Sequence, residues 1–291
     1  MTTRLAPAAT LVAPPPATPV AAPGAAPAPA RIVDRIATSP RFTLEEAVRL
    51  NRFYRGADTA EVLRAVLCEH IAGDVAVVSS FGAESAVLLH LVAAINPASP
   101  VLFLDTLRHF PETLAYRDTL AAQLGLTGLV NLAPDAVELA ARDDNGLRWS
   151  FDPDGCCAIR KVAPLAAALA PLDATISGRK AFQSATRKAL PRFEIDTSDA
   201  AGRLKINPLA DWDAARLAAH MAQHDLPAHP LVAQGYPSIG CSPCTSKVKP
   251  GEDPRAGRWR GWDKTECGIH TPGGTDGDKG GALPPGYEPA F

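Results

Sequence analysis

The chain has 291 residues, 46% of them hydrophobic, and its 29 Lys and Arg nearly balance 31 Asp and Glu for a formal net charge of −2. That length supports one sizeable core with a small appendage, and the charge balance gives no global electrostatic reason to bind nucleic acid, so basic clusters read as local anion sites. No run of 18 apolar residues argues for a membrane span, and prolines interrupt the apolar N-terminal stretch that a secretory leader would need.

Six cysteines in such a chain point to a reducing compartment, taken as the cytoplasm, and to metal or redox chemistry. Residues 1–30 are an Ala/Pro-rich tail that cannot bury enough surface to offset its ordering entropy, so disorder is expected there. Thr43 and Glu46 make a capping box ahead of Leu44, Ala47, Val48 and Leu50, which predicts a helix. Asp58 and Glu61 repeat the pattern before Val62, Leu63, Val66, Leu67 and Ile71. Cys68 falls inside that second helix, where buried packing is expected of it.

From Val75 the pattern becomes strand–helix alternation. Val75–Val78, Val101–Leu104, Leu129–Leu132, Ala174–Ser177 and Leu204–Ile206 read as strands, the last followed by a helix from about Asp211 to His224. This predicts an α/β fold: an open, mostly parallel sheet with helices on both faces and ligands at the C-terminal strand ends. Residues 31–250 are assigned to this domain, 251–270 to a mobile segment and 271–291 to a flexible Gly/Pro-rich tail.

Three strand ends are polar. The first, Ser79-Ser80-Phe81-Gly82-Ala83-Glu84-Ser85, is a turn suited to an anion at a helix N-terminus, although it lacks Walker A spacing. The second is Gly178 to Arg187, with Arg179, Lys180, Gln183, Thr186 and Arg187 as candidate anion ligands; a solvated basic surface is the competing reading. The third is Asp105-Thr106, able to bind a ribose or to position the neighbouring loop. Together they point to a nucleotide.

Cysteines supply the remaining chemistry. Cys156-Cys157 and Cys241-x-x-Cys244 form a four-thiol set that only the fold can assemble. An iron–sulfur cluster, a zinc ion and unligated structural or redox cysteines all remain open, the adjacent pair being unusual for zinc. Arg160 and Lys161 follow directly and could balance thiolate charge. Cys267 is left alone after Arg255, Arg258 and Arg260, with Glu266 and His270 beside it. Nearby cations lower a cysteine pKa, so Cys267 is a candidate nucleophile, against the plainer reading of an exposed cysteine near a tail.

Taken together, the motifs resemble the assimilatory adenylylsulfate (APS) reductases within the phosphoadenylylsulfate (PAPS) reductase group. The matches are Ser79–Ser85, Leu104–Thr113, Cys156–Lys161, Ser177–Gln183, Lys205–Leu209, Cys241-x-x-Cys244 and Lys264-Thr-Glu-Cys-Gly-Ile-His270, in family order over about 42–270. Leu107 departs from the glycine common in that loop. The resemblance implies an adenine-nucleotide alpha-hydrolase-like (PP-loop-like) fold and one [4Fe-4S] cluster on Cys156, Cys157, Cys241 and Cys244, structural and electrostatic in role. It implies Cys267 as nucleophile with His270 assisting, and reduction of adenylylsulfate to sulfite and AMP in sulfate assimilation and cysteine biosynthesis. PAPS-specific relatives generally lack the cluster cysteines, which favours APS; PAPS or dual use is the alternative. No other cysteine makes a convincing resolving thiol, so an external dithiol such as thioredoxin is expected. Lys161, Arg179, Lys180, Arg187, Arg255 and Arg258 are the cations expected to screen thiolate from phosphosulfate, and residues 251–270 a lid that opens for thioredoxin. An ATP-using tRNA thiolase of the same fold and a non-catalytic metal-binding regulator are the rivals. A homo-oligomer stays open.

Overall fold

In the computed structural model of the protein, residues 40–183, 187–264 and 268–270 are described. The two tails assigned above, together with Thr186 and Cys267, lie outside the described residues. Six strands form one sheet in the order β3-β2-β1-β4-β6-β5. They are β1 (Val75–Ser79), β2 (Val101–Leu104), β3 (Leu129–Leu132), β4 (Ala174–Ser177), β5 (Phe193–Ile195) and β6 (Leu204–Ile206). All pairings are parallel except β5 with β6, where Phe193 lies opposite Ile206. The five parallel strands match those expected from the apolar runs. The edge strand β5 was not expected: Phe-Glu-Ile is too short and too mixed to register as a run.

Side-chain alternation sorts the central strands onto two faces. Val77, Val101, Phe103, Ile176, Leu204 and Ile206 join the larger core, packed by α2 (Thr59–Leu67), α3 (Ser85–Ile95), α4 (Pro111–Leu124) and α8 (Ala214–Gln223). Ala76, Leu102 and Leu104 face the other way, against Leu165 and Leu169 of α7 (Ala163–Leu169). Helices therefore cover both faces. Each buried Leu, Ile or Phe contributes about 1.5–3 kcal/mol relative to exposure. Phe81 and Phe103 add an edge-to-face contact at 5.6 Å between centroids.

The remaining helices are α1 (Leu44–Phe53), α5 (Ala136–Arg142), α6 (Pro153–Cys157) and α9 (Pro230–Ala233). The Thr43/Glu46 capping box of α1 is formed, and Asp58, Asp135, Asp152 and Asp213 cap α2, α5, α6 and α8. α3 differs, since its N-cap Glu84 makes no side-chain capping bond and leaves the first-turn amides free of one. Cys68 corrects an expectation. α2 stops at Leu67, and Cys68 is its exposed C-cap one turn after exposed Arg64, on the solvent side rather than with Val62, Val66 and Leu67. No helix among the described residues is long and apolar enough to cross a membrane.

Candidate active site and four-thiol pocket

Chain order reverses about β1, which has β2 on one side and β4 on the other. In open α/β sheets such a switch point opens a crevice at the C-terminal strand ends. The loops after β1 and β4 face each other there. Ser79 Oγ accepts from the Phe81 amide at 3.2 Å, and Phe81 takes a left-handed φ of 48° that turns the chain toward α3. The Phe81 side chain is fully buried against Phe103, so only its backbone is left to face the crevice. Ser80, Gly82 and Ser85 remain on the turn, with Ser85 opening α3.

Lys180 is 2% exposed, and its Nζ donates to Glu84 Oε2 at 2.7 Å. Gln183 Nε2 donates to the same oxygen at 2.7 Å, and Arg187 donates to Gln183 Oε1 at 2.8 Å. Burial holds the Lys180 pKa below the usual amine range while Glu84 opposes the shift. Arg179 pairs with Glu194 of β5 and contacts Ser177 Oγ. Fully buried Asn207 holds this end together: it accepts from Ser177 Oγ at 2.7 Å and donates to Glu194 Oε1 at 3.2 Å and Pro191 O at 3.0 Å. The sequence marked these cations but not the acids that position them. Glu84 was visible as part of a motif; Glu194 was hidden in the strand that went unread.

At the end of β2, Asp105 accepts from the Leu107 amide at 3.0 Å and so braces its own loop. Thr106 is buried with Oγ1 3.3 Å from Cys241 Sγ, and the Ser242 amide donates to Arg108 O at 2.7 Å. These contacts seat Cys241-x-x-Cys244 on the β2 loop. Its turn, Ser242–Cys244, is backed by the Thr245–Arg258 bridge and by the Trp259 amide donating to Cys244 O. A Cβ at Gly240 would stand 2.2 Å from the Arg258 guanidinium, which donates to Ile239 O at 3.1 Å. Arg255 opens the turn leading to Arg258, its amide donating to Asp253.

Cys156 and Cys157 end α6, whose Asp152 cap accepts from the Gly155 amide and from Arg148. A π-turn follows over Ala158–Val162, an irregularity often found at functional sites. It turns Arg160 inward to Asp143 Oδ2 at 2.5 Å and Thr106 O at 2.9 Å. Cys156, Cys157, Cys241 and Cys244 thus line one pocket, with Arg108, Arg160 and Lys161 around it. Burial, then the neighbouring thiols, pushes the Cys156 thiol up to about 12 and Cys244 up to about 11, while Arg160 opposes the first shift and Lys161 and Arg258 the second. Four thiolates cannot coexist there without a bound cation.

Cys267 lies outside the described residues, and so does the side chain of His270. Its flanks are described: Lys264 pairs with Asp154, and a Cβ at Gly268 would lie 3.2 Å from Val162 in the π-turn. Ile269 packs against the face formed by Leu102, Leu104 and Leu165.

Fold and pocket define a class: an α/β protein with two anion-type loops at its switch point and a four-thiol site beside them. Residues 74–247 match the phosphoadenosine phosphosulfate reductase domain, and the chain belongs to that family. It is 46% identical to the adenosine 5′-phosphosulfate reductase of Mesorhizobium japonicum, over 84% of this chain and 94% of that one. It is 55% identical to the enzyme of that name from a Chelativorans species, over 69% and 80%. Among solved structures it is similar to a phosphoadenylyl-sulfate reductase from Candida auris in complex with phosphate, with a TM-score of 0.60, 28% identity, and coverage of 71% of this chain and 98% of that one.

Proposed function

We propose that the protein reduces adenylylsulfate to sulfite and AMP in sulfate assimilation, with Cys267 as nucleophile. The observation that carries this reading is the four-thiol pocket beside the two anion loops, in a chain similar to named adenosine 5′-phosphosulfate reductases. The nucleotide lies across the β1/β4 crevice, its phosphosulfate over Ser80, Gly82 and the first turn of α3. Lys180 and Gln183, set by Glu84, with Arg179 and Arg187, offset its charge. The Cys267 thiolate attacks sulfur, the S–O bond to the phosphate breaks, and AMP leaves with that electron pair. An external dithiol of the thioredoxin kind then attacks Cys267 Sγ and sulfite leaves; a second thiol resolves the mixed disulfide, so the dithiol supplies both electrons. His270 is assigned a helping role at the same segment, and Lys161, Arg255 and Arg258 a screening one. Residues 251–270 act as the lid.

Cys156, Cys157, Cys241 and Cys244 fit a [4Fe-4S] cluster by their chemistry: three buried thiols and a half-buried one lining one pocket, with cations beside them. Bound there, the group supplies structure and local charge.

The test combines mass spectrometry with iron and sulfide analysis on protein made anaerobically. Adenylylsulfate alone should leave a sulfonate on Cys267, a gain of about 80 Da that thioredoxin removes as sulfite. Cys267→Ser should keep its iron and form no adduct; Cys156→Ser or Cys241→Ser should lose iron and activity together. An adduct on another cysteine, or turnover by Cys267→Ser, would overturn the mechanism. Stoichiometric zinc without acid-labile sulfide would overturn the cluster assignment.

A further inference from the structure

Three histidines sit together where α3 packs against α8, on the helical side of the sheet and outside the crevice. His220 and His224 are one turn apart on α8, so their rings share a face. His90 comes from the middle of α3. His90 Nδ1 lies 3.1 Å from His220 Nε2, and one ring nitrogen from each of the three falls within 4.8 Å of the others. Ring centroids are 4.4 Å apart for His90–His224 and for His220–His224.

We propose that His90, His220 and His224 bind a divalent transition-metal ion of the zinc class, which ties α3 to α8. With metal–nitrogen bonds of about 2.0–2.1 Å, the edge of a tetrahedral site is about 3.3 Å, close to the separation already present between His90 and His220. The third ligand, His224, is the exposed C-cap of α8, free of the core packing that would stop its ring from turning inward by the remaining distance. Neutral imidazole is the form that ligates such an ion. An open pocket beside His220, lined by Asp58, Trp212, Arg216 and Gln223, leaves room for water as the fourth ligand. An N–H···N bond between His90 and His220 accounts for their distance alone, but not for His224 placing a third nitrogen at the same point. Three imidazoles and no thiolate select zinc, nickel or copper over magnesium and calcium. Because α3 begins at the anion loop, a metal here anchors the helix on which that loop is built.

The experiment is zinc titration of the iron-loaded, full-length protein, read by calorimetry, by thermal unfolding and by X-ray absorption at the zinc edge. One equivalent should bind with nitrogen and oxygen neighbours at about 2.0 Å and no sulfur shell near 2.3 Å, and the melting temperature should rise with zinc and fall back with chelator. His224→Ala, a surface change, should weaken binding about ten-fold or more, and His90→Gln/His224→Ala should abolish it with iron content unchanged. A sulfur shell, displacement of iron, equal uptake by the double variant, or no uptake by the wild type would each overturn the site.

Discussion

Single residues in this protein are held in conformations that the site rather than local preference dictates. Leu107 is the clearest: it follows Asp105-Thr106 at the end of β2, takes a φ of 57°, and is 53% exposed. The left-handed region costs a residue with a Cβ about 1–2 kcal/mol, part of which glycine returns as extra freedom in the unfolded chain. Leu107→Gly should therefore stabilise the protein by about 0.5–1 kcal/mol in urea unfolding, while Leu107→Ala, which keeps the Cβ, should not. A drop in stability for the glycine variant would mean that the exposed leucine packs against something the strain argument omits. The Asp105 bond to the Leu107 amide uses backbone and survives either change. That the position invites glycine is what the family resemblance implies; the angle that explains it was not readable from the sequence, because dihedrals of a loop follow from what it is tethered to.

Short elements join the two halves of the thiol set, and there the sequence was least legible. The capping box, the five parallel strands and α8 announce themselves through local pattern: Thr43 with Glu46, the Val/Ile/Leu runs, and the helical stretch from about Asp211 to His224. The π-turn over Ala158–Val162 has no such signature, yet it buries Arg160 to 4% exposure between Asp143 and Thr106. Arg160 looked like charge balance for thiolates; it is also the strut between the Cys156-Cys157 helix and the loop that seats Cys241. Arg160→Met leaves Asp143 charged and buried, so metal-free protein should lose about 3–5 kcal/mol in urea unfolding, and adding Asp143→Leu should recover part of it. Equal stability of the single variant and the wild type would refute the strut. A second short element carries a pH signal. His229 caps α9 with Nδ1 accepting from the Leu231 amide and Nε2 facing Thr113, and burial drives its pKa down to about 4. Between pH 6.5 and 4 the unfolded chain binds a proton the folded one refuses, so stability falls as pH falls through that window, by up to about 1.4 kcal/mol per pH unit for one site. His220 acts in the same direction. His229→Asn keeps a capping oxygen and should flatten the slope by one proton's worth; an unchanged slope would clear His229 of the effect.

At the scale of the whole molecule, the fold could be read because strand–helix alternation is a long, repeated pattern, and the strand ends stood out as polar because Gly, Ser and Arg cluster there. What could not be read was how those ends are tied across the sheet. Glu194 sits on the antiparallel edge strand, Asn207 ends β6, and only the pairing of β5 with β6 brings them to Arg179 and Ser177. The same distance-spanning logic locates where the folded body begins. The Arg41 amide donates to Ala201 O at 2.7 Å and the Phe42 amide to Gly202 O at 3.0 Å. The Arg41 guanidinium reaches Leu172 O, Ala170 O and Asp173, and Phe42 packs on the larger core. Three separate segments thus close on two residues. Upstream of them, Ala and Pro without aromatic residues offer little surface for burial. Deleting residues 1–30 should leave the melting temperature within about 1 °C and kcat/KM for adenylylsulfate unchanged. Extending the deletion through Phe42 strips the hydrogen bonds at Ala201 and Gly202 and uncovers core, and should cost about 2–4 kcal/mol. A large loss from the shorter deletion would show that the Ala/Pro segment takes part in the fold; no added loss from the longer one would show that Arg41 and Phe42 decorate the body rather than close it.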